Sequence, residues 1–550
     1  MKTIELRNFR SLIDTGVITL NRLTVLVGQN SLGKSSFLRS FPLLKQSLLA
    51  DRQKPLIWYS PNLVDFGSYK EVLYKNGKDL DISKTKDNIG ESIEFVFGID
   101  IPKNFERDIR QWGRSLSSFD HNEVNSQEVS VKSGTLSIQF DDADKFIAIY
   151  QFLDWKWEVS FSGMGRDERP KISVKVNGVE YSDMYFSESI FGRKRIVPRL
   201  LRIHSVSNKK MPPKSSDLLL GFWQNNVTYQ VIQKIKEIQF GRTNEETVID
   251  ITKRLTSLVR SREEFNTEFE KIIAPHKLMK RRVYQTMTEQ ESEKFVEDLF
   301  NLCGLNLLSD INEMVNDQIA SYFENVQYIA PIRATAERYY RRQDLAVNDI
   351  NPQGQNIPAM LASMRKKELK QWNDWTSENF GVYFSLESME NNDSIYLTQL
   401  NEKQNIKNNL ADVGFGYSQI LPILLYLWRQ FRQSPRLGRR IKRGDWRTTI
   451  LIEQPELHLH PALQAAEMHA MDTMLSENPM ASLVIETHSE YMVNQLGHDI
   501  AEGVLHPEDV SVLIFERDLK DGSTKISKHD FDENGTFKSW PIGFFQPIYK

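Results

Sequence analysis

Apolar and polar residues alternate from Ile4 to Arg10 and again from Gly16 to Leu20, a period of two that predicts short strands. An unbroken apolar run from Thr24 to Val27 has the pattern of a strand buried on both faces, and Ser36 to Leu44 then takes helical spacing. Pro55 to Tyr74 reads as a loop around Asp65-Phe66-Gly67-Ser68. Strand patterns resume at Ile93 to Ile99 and dominate from Leu136 to Tyr181. There Ile172, Val174 and Val176 lead into Asn177-Gly178, the residues that a two-residue hairpin turn demands.

A basic stretch with Arg193, Lys194, Arg195, Arg199 and Arg202 ends at the breaker Pro212-Pro213, the first expected boundary. From Val227 to Phe323 the spacing turns helical, as at Val231, Ile235 and Ile238, then Ile249, Ile251, Leu255 and Leu258. Gly241, Pro275 and Gly304 are expected to cut this stretch into several helices, with no heptad lasting long enough for a coiled coil. Val326 to Ile332, Thr449 to Ile452 and Leu483 to Glu486 return to strand, and strands are expected again after His488. The expected organisation is an α/β head whose N-terminal part with a β-rich lobe spans 1–210. A helical insertion follows at 211–325, and the C-terminal part of the head at 326–550.

Composition narrows the class. At 550 residues the chain is long enough for two or three lobes, and its net charge of −3 means that any affinity for nucleic acid must come from local patches. Cys303 is the only cysteine, which excludes an intrachain disulfide and a cysteine zinc site and suits a reducing cytoplasm. The longest apolar run, Ile420 to Trp428, is far short of a membrane span, so neither export nor membrane insertion is expected.

The strand–helix pair at Thr24 to Leu44 brackets Gly28-Gln29-Asn30-Ser31-Leu32-Gly33-Lys34-Ser35, which fits G-x-x-x-x-G-K-[ST]. Such glycines let backbone N–H groups curl around phosphate oxygens at a helix N-terminus that also includes Ser36. Lys34 supplies a point charge, and the Ser35 hydroxyl can ligate magnesium. Phe9 and Arg10, just upstream, suit stacking on adenine and contact with phosphate; a surface pair at a strand end is the bland alternative. The second half of the site is expected in TTILIEQPELHLHPAL (Thr448 to Leu463), a buried strand ending in acids, and in Thr487-His488-Ser489, where an imidazole at a strand end can sense a γ-phosphate. Between the loop and the acidic strand, Asp412 to Gln419 is Gly-rich and opens an apolar helix, a second phosphate-facing N-terminus.

Loop, Gly-rich signature, acidic strand and histidine strand end, in that order around a large insertion, resemble the ABC-type ATPase heads of the double-strand-break repair, structural-maintenance-of-chromosomes (SMC) and overcoming-lysogenization-defect proteins. DVGFGYSQILPIL, IEQPELHLHP and the terminal Trp540-Pro541-Ile542-Gly543-Phe544-Phe545 resemble, within that group, the bacterial family that includes the ATPase subunit of Septu antiphage systems (PtuA), some encoded beside retrons. The resemblance implies a P-loop head with a parallel-sheet core, an antiparallel β lobe and an inserted mainly helical lobe. It also implies ATP and Mg2+, sandwiched between the heads of a homodimer. By position, Lys34 and Ser35 then bind phosphates and metal, and Gly414, Gly416, Ser418 and Gln419 cap the partner's γ-phosphate. Glu453 is the metal-side acid and His488 the switch. The implied partners are a separate HNH nuclease and, further out, a retron reverse transcriptase with its DNA–RNA product.

One departure bears on the chemistry. Many relatives carry a second acid after the metal-side one; here Gln454 follows Glu453, and an amide positions water but is no general base. Glu456 is the alternative source of charge. The role expected from the resemblance is an ATP-gated sensor and scaffold of antiphage defence. The alternatives are a DNA repair ATPase and an ATP-bound scaffold with negligible hydrolysis. Two basic segments suit nucleic acid as well as solvent: Arg333, Arg338, Arg341 and Arg342 with Tyr339 and Tyr340, and eight cations from Arg429 to Arg447. His458 and His460 lack a third ligand nearby, and the resemblance implies a dimer-facing loop for them. Asp530 and Asp532 beside Asn534-Gly535 read as a turn, so no nuclease centre is expected here.

Overall fold

The structure, a computed structural model, describes residues 1–74, 92–101, 132–141, 145–163, 170–181, 184–187, 191–202, 226–240, 244–257, 260–342, 351–389, 391–400, 405–432, 448–518 and 522–538. Pro212-Pro213, the basic run beyond Arg432 and the Trp540 to Phe545 segment lie outside these. Contacts divide the chain into two compact units, one of Met1–Arg7, Ser47–Ile57 and Leu80–Ala320, the other of Asn8–Gln46, Trp58–Asp79 and Ser321–Lys550.

In the first unit an antiparallel meander runs from Val179–Tyr181 through Lys171–Val176, Trp155–Ser162, Phe146–Phe152 and Lys132–Phe140 to Ile93–Ile101, which pairs with Thr3–Arg7. Alternation produces it: along Phe146–Phe152 every second residue is buried. Asn177 and Gly178 both adopt positive φ, 50° and 85°, as the expected hairpin turn needs. The helices share this unit's core with the sheet. Trp155 stacks on Phe300 at 4.5 Å, and Trp157 Nε1 donates to the Gly304 carbonyl at 2.9 Å. Asn316 Oδ1 accepts from the N–H groups of Ile196 and Val197 at 2.8 and 3.0 Å.

Gly304 does not interrupt anything: a single helix runs 36 residues, Glu289–Glu324. An added Cβ there would lie 2.4 Å from Trp155 Nε1. The glycine is a slot for an indole, and the helical hydrogen bonds pass through it at a modest propensity cost.

The second unit is built on a six-stranded sheet in the order Val326–Ile329, Thr448–Glu453, Ala481–Glu486, Leu23–Gly28, Val510–Arg517, Thr524–His529. Neighbours are parallel except the last pair. Sequential apolar runs fit because both faces are covered. Val25, Ile450, Ile452 and Ile485 join a core with the helices Phe415–Arg432, Pro461–Glu477 and Glu490–Ala501, while Phe515 meets Phe37 of the helix Lys34–Leu48. A smaller antiparallel sheet, centred on Val382–Met389 and Asn392–Gln399, packs with the helix Lys366–Phe380. Asp532 Oδ1 accepts from the N–H groups of Asn534 and Thr536, closing the expected turn. No helix among the described residues is long and apolar enough to cross a membrane.

Candidate functional site

The strand Leu23–Gly28 ends at a turn that side chains would obstruct. Gly28 has φ 144°, with an added Cβ 2.3 Å from the Phe515 carbonyl oxygen, and Gly33 has φ 91°, with one 2.6 Å from Ser11 Oγ. Ser31 is also left-handed, at φ 64°. Gln29, Asn30 and Ser31 stay exposed while Leu32 is buried as the turn's anchor. Lys34 folds back beneath the turn, donating through Nζ to the carbonyls of Gly28 at 3.0 Å and Gln29 at 2.6 Å. Burial lowers its pKa, opposed by Glu486 and Glu456. A cavity of about 320 Å³ opens above, lined by Asn30, Lys34, Ser35 and Ser36 and closed by Gln454, Glu486 and His488. Desolvation, reinforced by Lys34, holds the His488 imidazole below its ordinary pKa and so neutral near pH 7.

The acids are arranged differently from expectation. Glu453, expected beside Ser35, is buried in another network: Arg39 Nε and Nη2 donate to its two oxygens at 2.8 and 2.6 Å, and the Tyr328 hydroxyl donates at 2.6 Å. The carboxylate that meets Ser35 belongs to Glu486, whose Oε1 accepts from Ser35 Oγ at 2.7 Å. Burial, then Glu453, pushes the Glu486 carboxyl up to about 7, with Ser35 and Lys34 pulling the other way. Sheet order is the cause. Glu453 and Glu486 are register partners, but only the strand of Glu486 adjoins the loop strand. The sequence did carry a signal, an acid ending the histidine strand, whose meaning depends on that order.

Gln454 turns into the cavity at φ 46°, a left-handed backbone in which its N–H donates to the Glu486 carbonyl at 2.8 Å. Glu456 lies off the cavity wall: its Oε1 accepts from the His488 N–H at 2.7 Å, and its Oε2 has no hydrogen-bond partner. Arg333, expected on a basic surface, is buried; its Nη2 donates to the carbonyls of Glu453 and Gln454 at 3.1 and 3.3 Å. Burial pulls its pKa down to about 10, opposed by Glu467, Glu456 and Glu453. Arg338 pairs with Asp412.

Of the signature residues, Gly414 and Phe415 are exposed at the N-terminus of the helix Phe415–Arg432, where Phe415 meets His458 edge-on at 4.9 Å. Gly416 admits the His458 carbonyl, 2.9 Å from an added Cβ. Ser418 and Gln419 do not face outward as expected, because the helical turn carries them into the core. Ser418 Oγ donates to the Phe415 carbonyl, and the Gln419 amide bonds both the N–H and the carbonyl of Arg333.

Phe9 offers no face to a base either. It is fully buried, edge-on to Phe66 at 5.4 Å, because the left-handed backbone at Asn8 (φ 56°) breaks the strand's alternation just before it. Arg10 stacks over the same ring at 4.6 Å and lines a second cavity of about 370 Å³ with Ser31, Leu32, Glu71, Tyr74 and Arg517. This cavity shares Ser11 and Ser31 with the first, so the two spaces adjoin at the turn.

These residues fit a nucleotide with a hard divalent cation. The backbone cradle has no room for Cβ atoms, an ammonium sits under it, and a hydroxyl lies beside a carboxylate whose second oxygen is buried without a partner. Comparison with known families gives a match over residues 1–493 to the family described as AAA ATPase domain. Three solved structures align over 96% of this chain. They are an Smc head domain with an extended coiled coil bound to the C-terminal domain of ScpA, derived from Pyrococcus furiosus (11% identity, 95% of that chain, TM-score 0.32); an SmcHead bound to the C-winged helix domain of ScpA (8%, 97%, 0.35); and the SMC head domain from Thermotoga maritima (8%, 97%, 0.33). No curated protein matches.

Proposed function

This chain belongs to the AAA ATPase domain family, and we propose that it works as an ATP-gated sensor and scaffold in antiphage defence, of the kind its motifs resemble in Septu systems. ATP with Mg2+ binds at the Gly28 to Ser36 turn, and two copies pair so that each nucleotide meets the partner's exposed Gly414–Phe415 helix start. The paired state controls a separate HNH nuclease, in a retron setting together with a reverse transcriptase and its DNA–RNA product. The observation that carries the nucleotide reading is the cavity that joins Lys34 and Ser35 to Glu486, Gln454 and His488.

The bound metal supplies charge neutralisation on the phosphates, held by Ser35 with an acid nearby. Lys34 orients the phosphates and Gln454 positions water without taking its proton, so hydrolysis is slow and ATP acts as a conformational ligand. A second reading, a repair ATPase of the SMC type, differs in requiring strong stimulation by DNA.

The test is the mass of the purified chain by light scattering. Mg–ATP is expected to double it, Lys34→Ala to leave it unchanged, and Gly414→Trp to keep the chain folded but single, since nothing lies within 4 Å of a Cβ at Gly414. A chain that binds ATP and stays single contradicts the pairing. Phosphate release raised more than about tenfold by duplex DNA favours the repair reading, because DNA must then lower the barrier by over 1.4 kcal/mol.

A further inference from the structure

We infer that Glu486, on the histidine strand, is the carboxylate serving the metal side of this phosphate site, and that Glu453 is a structural anchor beneath it. The inference rests on the reading of the turn as a Mg–nucleotide site and changes which acid does the work there.

Three independent features of the geometry carry it. The first is place, read at the cavity wall and not from strand order. Glu486 lines the phosphate cavity and Glu453 does not. The second is commitment. Both oxygens of Glu453 are taken by the Arg39 guanidinium in a two-pronged ion pair, and Oε2 takes the Tyr328 hydroxyl as well. Freeing that carboxylate would leave a partly buried arginine end and a buried phenol short of partners.

The third is capacity. Glu486 uses Oε1 for the Ser35 hydroxyl, and its buried Oε2 has no partner, a costly arrangement unless something positive or proton-donating belongs there. A hydroxyl that donates its proton still has lone pairs on oxygen. Ser35 can therefore keep its bond to Glu486 while its oxygen ligates a hard cation, and Glu486 Oε2 can accept from a water on that cation.

The experiment measures how much Mg2+ half-saturates binding of a fluorescent ADP analogue to the full chain, for wild type, Glu486→Gln, Glu486→Asp and Glu453→Gln. Folding of each is checked by circular dichroism. Glu486→Gln is expected to raise the half-saturating Mg2+ by about 10- to 100-fold, the usual cost of losing a partner that orients a metal ligand, while binding in EDTA persists. Glu486→Asp should fall between it and wild type, and Glu453→Gln should stay within about twofold of wild type while melting earlier. A Glu486→Gln shift under about twofold, or the large shift appearing in Glu453→Gln instead, overturns the assignment and leaves the nucleotide site standing. If wild-type binding is indifferent to Mg2+ and to Lys34→Ala, the nucleotide reading itself fails and takes the assignment with it. Should Glu486→Gln fail to fold, Glu486→Asp decides: a half-saturation equal to wild type overturns the inference.

Discussion

Glu453 and Gln454 are neighbours in sequence, yet one carboxylate is locked under the loop helix and the adjacent amide faces the cavity. Strand geometry accounts for this: successive side chains point to opposite sides, and the left-handed turn at Gln454 ends the strand. That acids would cluster here was legible from the apolar run before them. Arg39 as a partner was not, because a helix position in sequence says nothing about which strand end lies below it. The pair is testable alone. Arg39 is about a third exposed, so solvent softens the loss, and Arg39→Met should lower unfolding free energy in urea by about 2–3 kcal/mol, below the 3–5 typical of breaking a fully buried pair. Adding Glu453→Gln should recover part of it. A loss under about 0.5 kcal/mol, the size expected of a surface pair, would mean the pair is ornamental.

Elements were legible where the pattern is local. The turn at Asn177-Gly178, the loop strand and the two acid-ended strands are all where alternation or apolar runs put them. Two things escaped for one reason, that they depend on partners far along the chain. Gly304 looked like a break because glycine is a weak helix former, but the indole of Trp155 needs the missing Cβ. Glu486 was passed over because sheet order, not sequence order, brings it to Ser35. Gly304→Ala separates slot from break: raised helix propensity alone would stabilise, whereas a clash with Trp155 should cost about 1–3 kcal/mol in urea unfolding. A stabilised variant would show that the indole moves aside freely.

At the scale of the whole molecule, the chain brings residues from both ends of its sequence to one cavity, with Lys34 and Ser35 from the first strand–helix unit and Gln454, Glu486 and His488 from two late strands. The central claim is that this cavity holds ATP as a gate and hydrolyses it reluctantly because an amide stands where a base is expected. The direct measurement is phosphate release from Mg–ATP by the purified chain, with Lys34→Ala and Gln454→Glu beside it. Tight binding is expected, with turnover well below about 1 per second, the lower end of ordinary enzyme rates. Lys34→Ala is expected not to bind, and Gln454→Glu to gain at least about tenfold, a modest share of what a general base contributes. Wild-type turnover of several per second that Gln454→Glu leaves unchanged or reduces would contradict the claim.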